Sequence, residues 1–142
     1  METVARLVLD TIEPPGIRFR ATTAKGLEYV LDSGEGAVGP SPVDVVVAAV
    51  GACTGMDVIT ILRKKRLVVT GYAIEVKATR RDTHPRAILA IEAIHRLRGR
   101  ALPRAAAEEA LRLSETTYCS VNATLAPGVA ITSRVEIEED PE

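Results

Sequence analysis

The chain has 142 residues, 46% of them hydrophobic and only 3% aromatic, so we expect one domain over residues 1–142 with an aliphatic core. Its formal net charge is −1, with 18 basic and 19 acidic residues, which provides no positive field to attract nucleic acid. The first residues lack the pattern of a signal peptide, and the apolar stretch 45–56 is shorter than a bilayer core of roughly 30 Å requires. We therefore expect a cytoplasmic protein without a membrane or nucleic-acid partner.

Three short extended segments are predicted in the N-terminal part of the chain, over residues 4–9, 17–22 and 28–31. Pro14-Pro15-Gly16 and Lys25-Gly26 separate them. Both are turn formers, because proline fixes φ and glycine permits positive φ. This order of short strands and turns predicts an antiparallel meander.

The clearest local signal is the start of a helix at residues 41–44. Ser41 offers a hydroxyl at the N-cap, Pro42 occupies the first helical position, and Asp44 places a carboxylate at the third, which together resemble a capping box. The helix should continue to about Lys65, where basic residues suit the carbonyl end of the helix dipole. Residues 43–56 are apolar or small on every side, so other elements or a partner chain must enclose them.

The second half of the chain alternates between strand and helix patterns. Residues 68–78 alternate in polarity and predict a strand, whereas 87–97 fit a strand and a helix equally well. We favour the strand, because residues 80–85 suit a hairpin connection. A second helix is predicted over 103–117 and a last strand over 129–138.

The two cysteines are the best candidates for chemistry. Cys53 lies in the first helix and Cys119 lies 66 residues later, a spacing that excludes a local Cys-x-x-Cys motif or zinc clip. Apolar surroundings raise the pKa of a thiol unless a cation or hydrogen-bond donor offsets the loss of water. Cys53 lies about three turns beyond the helix start, so we expect a basic side chain rather than the helix N-terminus to supply that offset. His84 and His95 lack metal-ligand spacing, so no metal or organic cofactor is expected.

Three further residues are candidates for assisting Cys53. Arg18 and Arg20 share one face of a predicted strand, and either guanidinium would suit a thiolate. Asp44 lies nine residues before Cys53, so it either orients such an arginine or only caps the helix. An oxidised Cys53 would condense with Cys119 if the fold brings them together; the alternative is that both cysteines are small buried hydrophobes.

The chain resembles the OsmC/Ohr superfamily of osmotically induced and organic hydroperoxide resistance proteins. The resemblance rests on residues 39–42, on 47–53 continued by 56–58, and on 118–123, which contain both cysteines. It implies an α+β fold in which antiparallel sheets wrap two long central helices, assembled as an intertwined homodimer.

The same resemblance implies a thiol peroxidase that reduces organic hydroperoxides and, weakly, hydrogen peroxide. By position Cys53 is then the peroxidatic and Cys119 the resolving cysteine. Arg18 or Arg20 and Asp44 correspond to the assisting arginine and helix-start carboxylate. A dithiol, often lipoyl-bearing, reduces the disulfide.

Two positions differ from the peroxidase branches. Val43 follows the helix-start proline where those branches commonly have glutamate, and Ser120 follows Cys119 where they commonly have proline. In both positions the chain is similar to a less characterised branch of OsmC-like proteins. They leave open a second function, that of a small-molecule-binding or thiol redox-sensing protein without efficient catalysis.

Overall fold

The computed structural model describes residues 1–11 and 13–141. These residues contain six β-strands, three α-helices and one π-helical turn, and the strands form two three-stranded sheets. The architecture is therefore mixed α+β, as the sequence predicts. The described chain divides into two compact units, the first ending at Val46 and the second beginning at Val47.

The first unit contains the predicted meander. Strands β1 (Ala5–Leu9), β2 (Phe19–Thr23) and β3 (Glu28–Leu31) pair antiparallel in that order. Gly26 has a φ of 80° in the turn between β2 and β3, a left-handed conformation that a residue with a Cβ rarely adopts. The turn chemistry read from the sequence thus places the strands correctly, within one or two residues at their ends.

Helix α1 spans Pro42–Lys64, as its N-terminal signal predicts. By length and composition it is the one helix among the described residues that could cross a membrane, although the core helix of a soluble protein meets the same criteria. We expected no membrane partner because the apolar stretch 45–56 is short, but the helix that contains it has 23 residues. The absence of a membrane partner therefore stays a prediction.

Two glycines of α1 allow its backbone to lie directly on strand β4 (Val68–Arg80). A Cβ on Gly51 would lie 2.7 Å from Cγ2 of Val76, and one on Gly55 would lie 2.5 Å from Cδ1 of Ile74. Both distances are far below van der Waals contact. The segment of α1 that carries Cys53 is therefore fixed against the sheet.

The second sheet has the order β4-β5-β6. Strand β5 (Ile88–Arg100) pairs antiparallel with β4, which confirms the strand interpretation over the helical one, and β6 (Ala130–Glu139) pairs parallel with β5. The expectation of purely antiparallel sheets is therefore wrong for this edge. A parallel neighbour requires a long crossover connection, and residues 101–129 supply it.

That crossover replaces the single second helix of the prediction. Helix α2 spans Arg104–Leu113 and continues into a π-helical turn, Ser114–Tyr118. Cys119 then interrupts the helical path with extended backbone (φ −75°, ψ 104°), and helix α3 (Ser120–Leu125), which the sequence did not predict, begins after it. Among the described helices only α1, with 23 residues, is long, so the two long central helices that the resemblance implies for the homodimer stay a prediction.

The core of the second unit lies between α1, α2, β5 and β6. Its members are aliphatic, as the scarcity of aromatic residues predicts, and each is at most 8% exposed. They are Val58, Leu62, Leu97, Leu102, Ala107, Ala110, Leu111 and Val135.

Candidate active site

The two cysteines of the second unit are both free thiols. Cys53 is half-buried on α1, whereas Cys119 is 3% exposed at the N-cap of α3. Their side chains hydrogen-bond to each other. The fold thus brings together two sulfur atoms that lie 66 residues apart in the chain.

Backbone amides at the start of α3 donate to both sulfur atoms. The N–H of Val121 donates to Cys53, and the N–H of Asn122 donates to Sγ of Cys119 at 3.3 Å. The hydroxyl of Thr54 donates to the same Sγ at 3.6 Å. These donors were not expected from the sequence, which predicts a basic side chain beside Cys53 and does not predict α3.

The π-helical turn determines where Cys119 lies. The backbone N–H of Cys119 donates to the carbonyl of Ser114 at 2.8 Å, and the side-chain amide of Asn122 donates to the carbonyl of Glu115 at 3.2 Å. These bonds fix both sides of the break in the helical path. Insertions of this kind in helices occur frequently at functional sites.

Burial is the main influence on the ionisation of Cys53, and it raises the pKa of this thiol. The hydrogen bond with Cys119 and the negative charges of Cys119 and Asp57 raise it further, while the Val121 N–H lowers it. Asp57 lies one turn after Cys53 on α1, and the buried hydroxyl of Ser114 donates to its Oδ2 at 2.7 Å. The sequence reasoning did not single out Asp57, although its i, i+4 spacing from Cys53 was a usable signal.

A cavity of about 440 Å³ adjoins this site along the C-terminal half of α1. Asp57 and Tyr118, the neighbour of Cys119, both belong to its lining. Lys65 at its far end donates to Glu109 at 2.8 Å. The remaining lining residues are Thr60, Ile61, Lys64 and Leu113.

The predicted arginines lie in the first unit and share one partner. Nε of Arg18 lies 3.1 Å and Nη2 of Arg20 3.2 Å from Oδ2 of Asp10, and Arg20 also lies 3.8 Å from Glu28. Arg18 lies immediately before β2 and Arg20 lies within it, and both guanidinium groups reach the same carboxylate, as their spacing predicts. That either arginine stabilises the Cys53 thiolate stays a prediction.

Asp44 forms the predicted capping box with Ser41. Oδ2 of Asp44 accepts from the backbone N–H of Ser41 at 3.0 Å, and Oγ of Ser41 accepts from the N–H of Asp44 at 3.2 Å. These reciprocal bonds satisfy two amides at the start of α1. The capping role of Asp44 is therefore real, whatever further role it has.

One buried polar pair was not recognised from the sequence. His95 on β5 is fully buried, and its Nδ1 lies 2.6 Å from the hydroxyl of Tyr72 on β4. Burial lowers the pKa of His95 to about 4 and raises the pKa of Tyr72. Within residues 1–11 and 13–141, no group of three or more His, Cys, Asp or Glu side chains is arranged to bind a metal.

The structure is therefore that of a mixed α+β protein with two interacting free thiols beside a cavity. The family model for OsmC-like protein matches residues 33–134. The Protein YhfA of Escherichia coli (strain K12) is 34% identical over 122 residues, which cover 86% of this chain and 91% of that protein. The chain belongs to the OsmC-like family.

Solved structures show the same fold. A hypothetical protein from Aquifex aeolicus VF5 is 29% identical, with a TM-score of 0.80 over 97% of this chain and 98% of its own. The organic hydroperoxide resistance protein OhrB of Bacillus subtilis is 14% identical, with a TM-score of 0.61 over 96% of this chain and 98% of its own.

Proposed function

We propose that the protein is a thiol peroxidase that reduces organic hydroperoxides and, weakly, hydrogen peroxide. The observation that carries the proposal is the hydrogen-bonded pair of Cys53 and Cys119. Two adjacent thiols can form a disulfide after one of them is oxidised to a sulfenic acid, which protects that sulfur from further oxidation. The similarity to OhrB, by name an organic hydroperoxide resistance protein, supports the same substrate class.

The different exposure of the two sulfur atoms supports their assignment. Cys53 is half-buried and Cys119 is only 3% exposed, so an incoming hydroperoxide meets Cys53 first. The thiolate of Cys53 attacks the distal peroxide oxygen, the O–O bond breaks, and the alkoxide leaves as the alcohol after protonation. Cys53 is then a sulfenic acid.

The second step uses the neighbouring thiol. Sγ of Cys119 attacks the sulfenic sulfur of Cys53, a disulfide forms, and the hydroxyl group leaves as water. A dithiol, such as a lipoyl-bearing protein, returns both cysteines to thiols by thiol–disulfide exchange. The reaction needs no metal or organic cofactor, and the cytoplasm is the compartment in which such thiols stay reduced.

Three charged residues are assigned assisting roles. Arg18 or Arg20 stabilises the Cys53 thiolate and the leaving alkoxide, since a guanidinium donates to both. Asp44, beyond its capping role, orients that arginine. The variants Arg18→Met and Arg20→Met test this assignment. Peroxide turnover should be lost in the variant that lacks the arginine facing Cys53. Unchanged turnover in both variants would show that neither arginine takes part in the reaction.

The partner chain in this proposal is a second copy of the same protein, in an intertwined homodimer. Met56 on α1 is 68% exposed and Tyr118 is 59% exposed, and a partner chain that covered them would remove this apolar surface from water. Sedimentation of the purified protein at several concentrations tests the assembly, and a monomer throughout would contradict it.

The central experiment is turnover of cumene hydroperoxide with a dithiol reductant. Cys53→Ser abolishes turnover, while Cys119→Ser undergoes one oxidation and then accumulates sulfenic or sulfinic acid, visible by mass spectrometry. Ser120→Ala, which changes an exposed neighbour, is the matched control and retains activity. Parental turnover in Cys53→Ser would end the hypothesis.

A second function, a thiol redox-sensing or small-molecule-binding protein, is favoured by one observation. Burial and negative neighbours raise the pKa of Cys53, which slows attack on peroxide at neutral pH. Free thiols counted before and after one equivalent of cumene hydroperoxide separate the two functions. Rapid loss of both thiols supports the peroxidase, slow loss supports a sensor, and no loss supports a binding protein.

A further inference from the structure

Ser114 joins α1 and α2 to the segment that carries Cys119. Its side chain is fully buried, and its hydroxyl donates to Oδ2 of Asp57 on α1 at 2.7 Å. Its carbonyl accepts from the backbone N–H of Cys119 at 2.8 Å. Its own N–H donates to the carbonyls of Ala110 and Leu111 in α2. One buried residue is therefore bonded to both helices and to the proposed resolving cysteine.

The bond between Asp57 and Ser114 differs from two other bonds between α1 and this segment. Thr54 donates to Sγ of Cys119, and the Cys53 thiol bonds to the same residue, so both of those bonds end on an atom that reacts. The bond from hydroxyl to carboxylate involves no sulfur atom, and oxidation of the cysteines does not consume it. Hydrogen bonds to a charged acceptor are also roughly twice as strong as neutral ones.

Of the two cysteines, Cys119 is the one that needs this support. Cys53 lies on α1 between Gly51 and Gly55, whose close contacts with β4 fix that part of the helix. Cys119 lies in extended backbone between the π-helical turn and the six-residue helix α3. The rate at which its sulfur attacks an oxidised Cys53 depends on how closely the two atoms are held.

We propose that Asp57 and Ser114 are positioning residues that hold Cys119 against Cys53, so that an oxidised Cys53 forms the disulfide before a second oxidant reaches it. This inference rests on the proposed peroxidase function. The sulfenic acid of Cys53 has two fates: attack by Cys119 gives the disulfide and water, whereas a second hydroperoxide gives the sulfinic acid and an alcohol. The bond between Asp57 and Ser114 favours the first.

The test measures the attack by Cys119 without any peroxide. Dithiobis-nitrobenzoate, an aromatic disulfide, exchanges with the more exposed Cys53 and releases one coloured thiolate. Cys119 then attacks the Cys53 sulfur of the mixed disulfide, a disulfide forms within the chain, and a second coloured thiolate leaves. The rate of the second release is the rate of attack by Cys119, and Cys119→Ser should stop after the first release.

Two variants separate the hydrogen bond from the charge. Ser114→Ala keeps the carboxylate and loses the bond, so its second release should be slower by about tenfold, the factor to which one hydrogen bond to a charged group corresponds. Asp57→Asn keeps an acceptor for Ser114 and loses the charge, so its second release should keep the parental rate. Its first release should instead begin at lower pH, because the negative charge of Asp57 raises the pKa of Cys53.

The matched control is Thr116→Val, which removes an exposed hydroxyl of the same turn that donates to the carbonyl of Arg112. It should match the parent in both releases. Should Ser114→Ala not fold, Asp57→Ala breaks the same bond from a half-buried position and should show the same slow second release.

Two results would overturn the inference. One is a parental rate of second release in Ser114→Ala or in Asp57→Ala. The other is a second release in Asp57→Asn that is as slow as in Asp57→Ala, since the effect would then belong to the charge. Because no peroxide is present, a failure of the proposed peroxidase function is measured separately, by turnover of cumene hydroperoxide.

Discussion

Oxidation of the cysteine pair should stabilise the protein by an amount that the chain itself determines. A Cys53–Cys119 disulfide would close a loop between two residues that lie 66 positions apart in the chain. The chain-entropy relation gives a stabilisation of about 4 kcal/mol for a loop of that length. Against it stands the weakening of the two hydrogen bonds that Sγ of Cys119 accepts from Thr54 and Asn122, which together contribute about 1 kcal/mol.

We therefore expect the oxidised protein to be more stable than the reduced protein by about 3 kcal/mol. Denaturant unfolding of both forms at one protein concentration measures the difference, and a thiol assay establishes how much disulfide each sample contains. Cys53→Ser and Cys119→Ser, treated with the same oxidant, are the controls and should show no gain.

Two outcomes would refute the reasoning. If the oxidised protein unfolds at the same or a lower denaturant concentration, the sulfur atoms cannot bond without distorting the fold. If the disulfide links two chains on a non-reducing gel, the cysteines that pair are not those of one chain.

Three further predictions concern stability. Burial lowers the pKa of His95 from 6.5 to about 4, so the unfolded chain binds the proton more readily and stability falls, by up to about 3 kcal/mol, as pH falls through this window. Denaturant unfolding against pH shows it; His95→Phe should flatten the dependence, and a flattening equal to that of the exposed control His84→Gln would contradict it. Gly51→Ala should destabilise by about 1 kcal/mol, since overpacking against a stiff β-branched side chain outweighs the helix preference of alanine. Gly55→Ala should lose less stability, because the nearest atom to its new methyl group is Cδ1 at the end of the Ile74 side chain. A larger loss of unfolding free energy in Gly55→Ala than in Gly51→Ala would refute this. Ser41→Ala removes one bond of the capping box and should lower the unfolding free energy by about 1 kcal/mol, and no loss would show that the box does not stabilise α1.

The parts of the fold that depend on neighbouring residues were predictable from the sequence. The bonds between Ser41 and Asp44 join residues three apart, so the start of α1 follows from four letters. The turn at Gly26 likewise depends on its own φ. Alternation in polarity sufficed for β4, because a half-buried strand has a period of two, whereas β5 was distinguished from a helix by the hairpin connection that precedes it.

The direction of β6 was not predictable in this way. Whether a strand runs parallel or antiparallel to its neighbour depends on the path of the connection, and this path contains a π-helical turn and the six-residue helix α3. Neither has a hydrophobic period long enough to detect.

Of the candidate site, the sequence indicated the two cysteines and not their surroundings. The pairing of Cys53 with Cys119 was implied by resemblance, since their separation in the chain carries no geometric information. The donors from Val121 and Asn122 are backbone amides, so their side chains give no signal. Thr54 is next to Cys53 in the chain but donates to Cys119, a relation that only the packing of α1 against the start of α3 creates.

Sγ of Cys119 is both a thiol sulfur and the N-cap acceptor for the first turn of α3. A covalent bond at this sulfur weakens the hydrogen bond that the Asn122 amide donates to it. Oxidation therefore changes the local stability of the six-residue helix α3. Amide exchange in α3 would then report oxidation without any probe attached to sulfur.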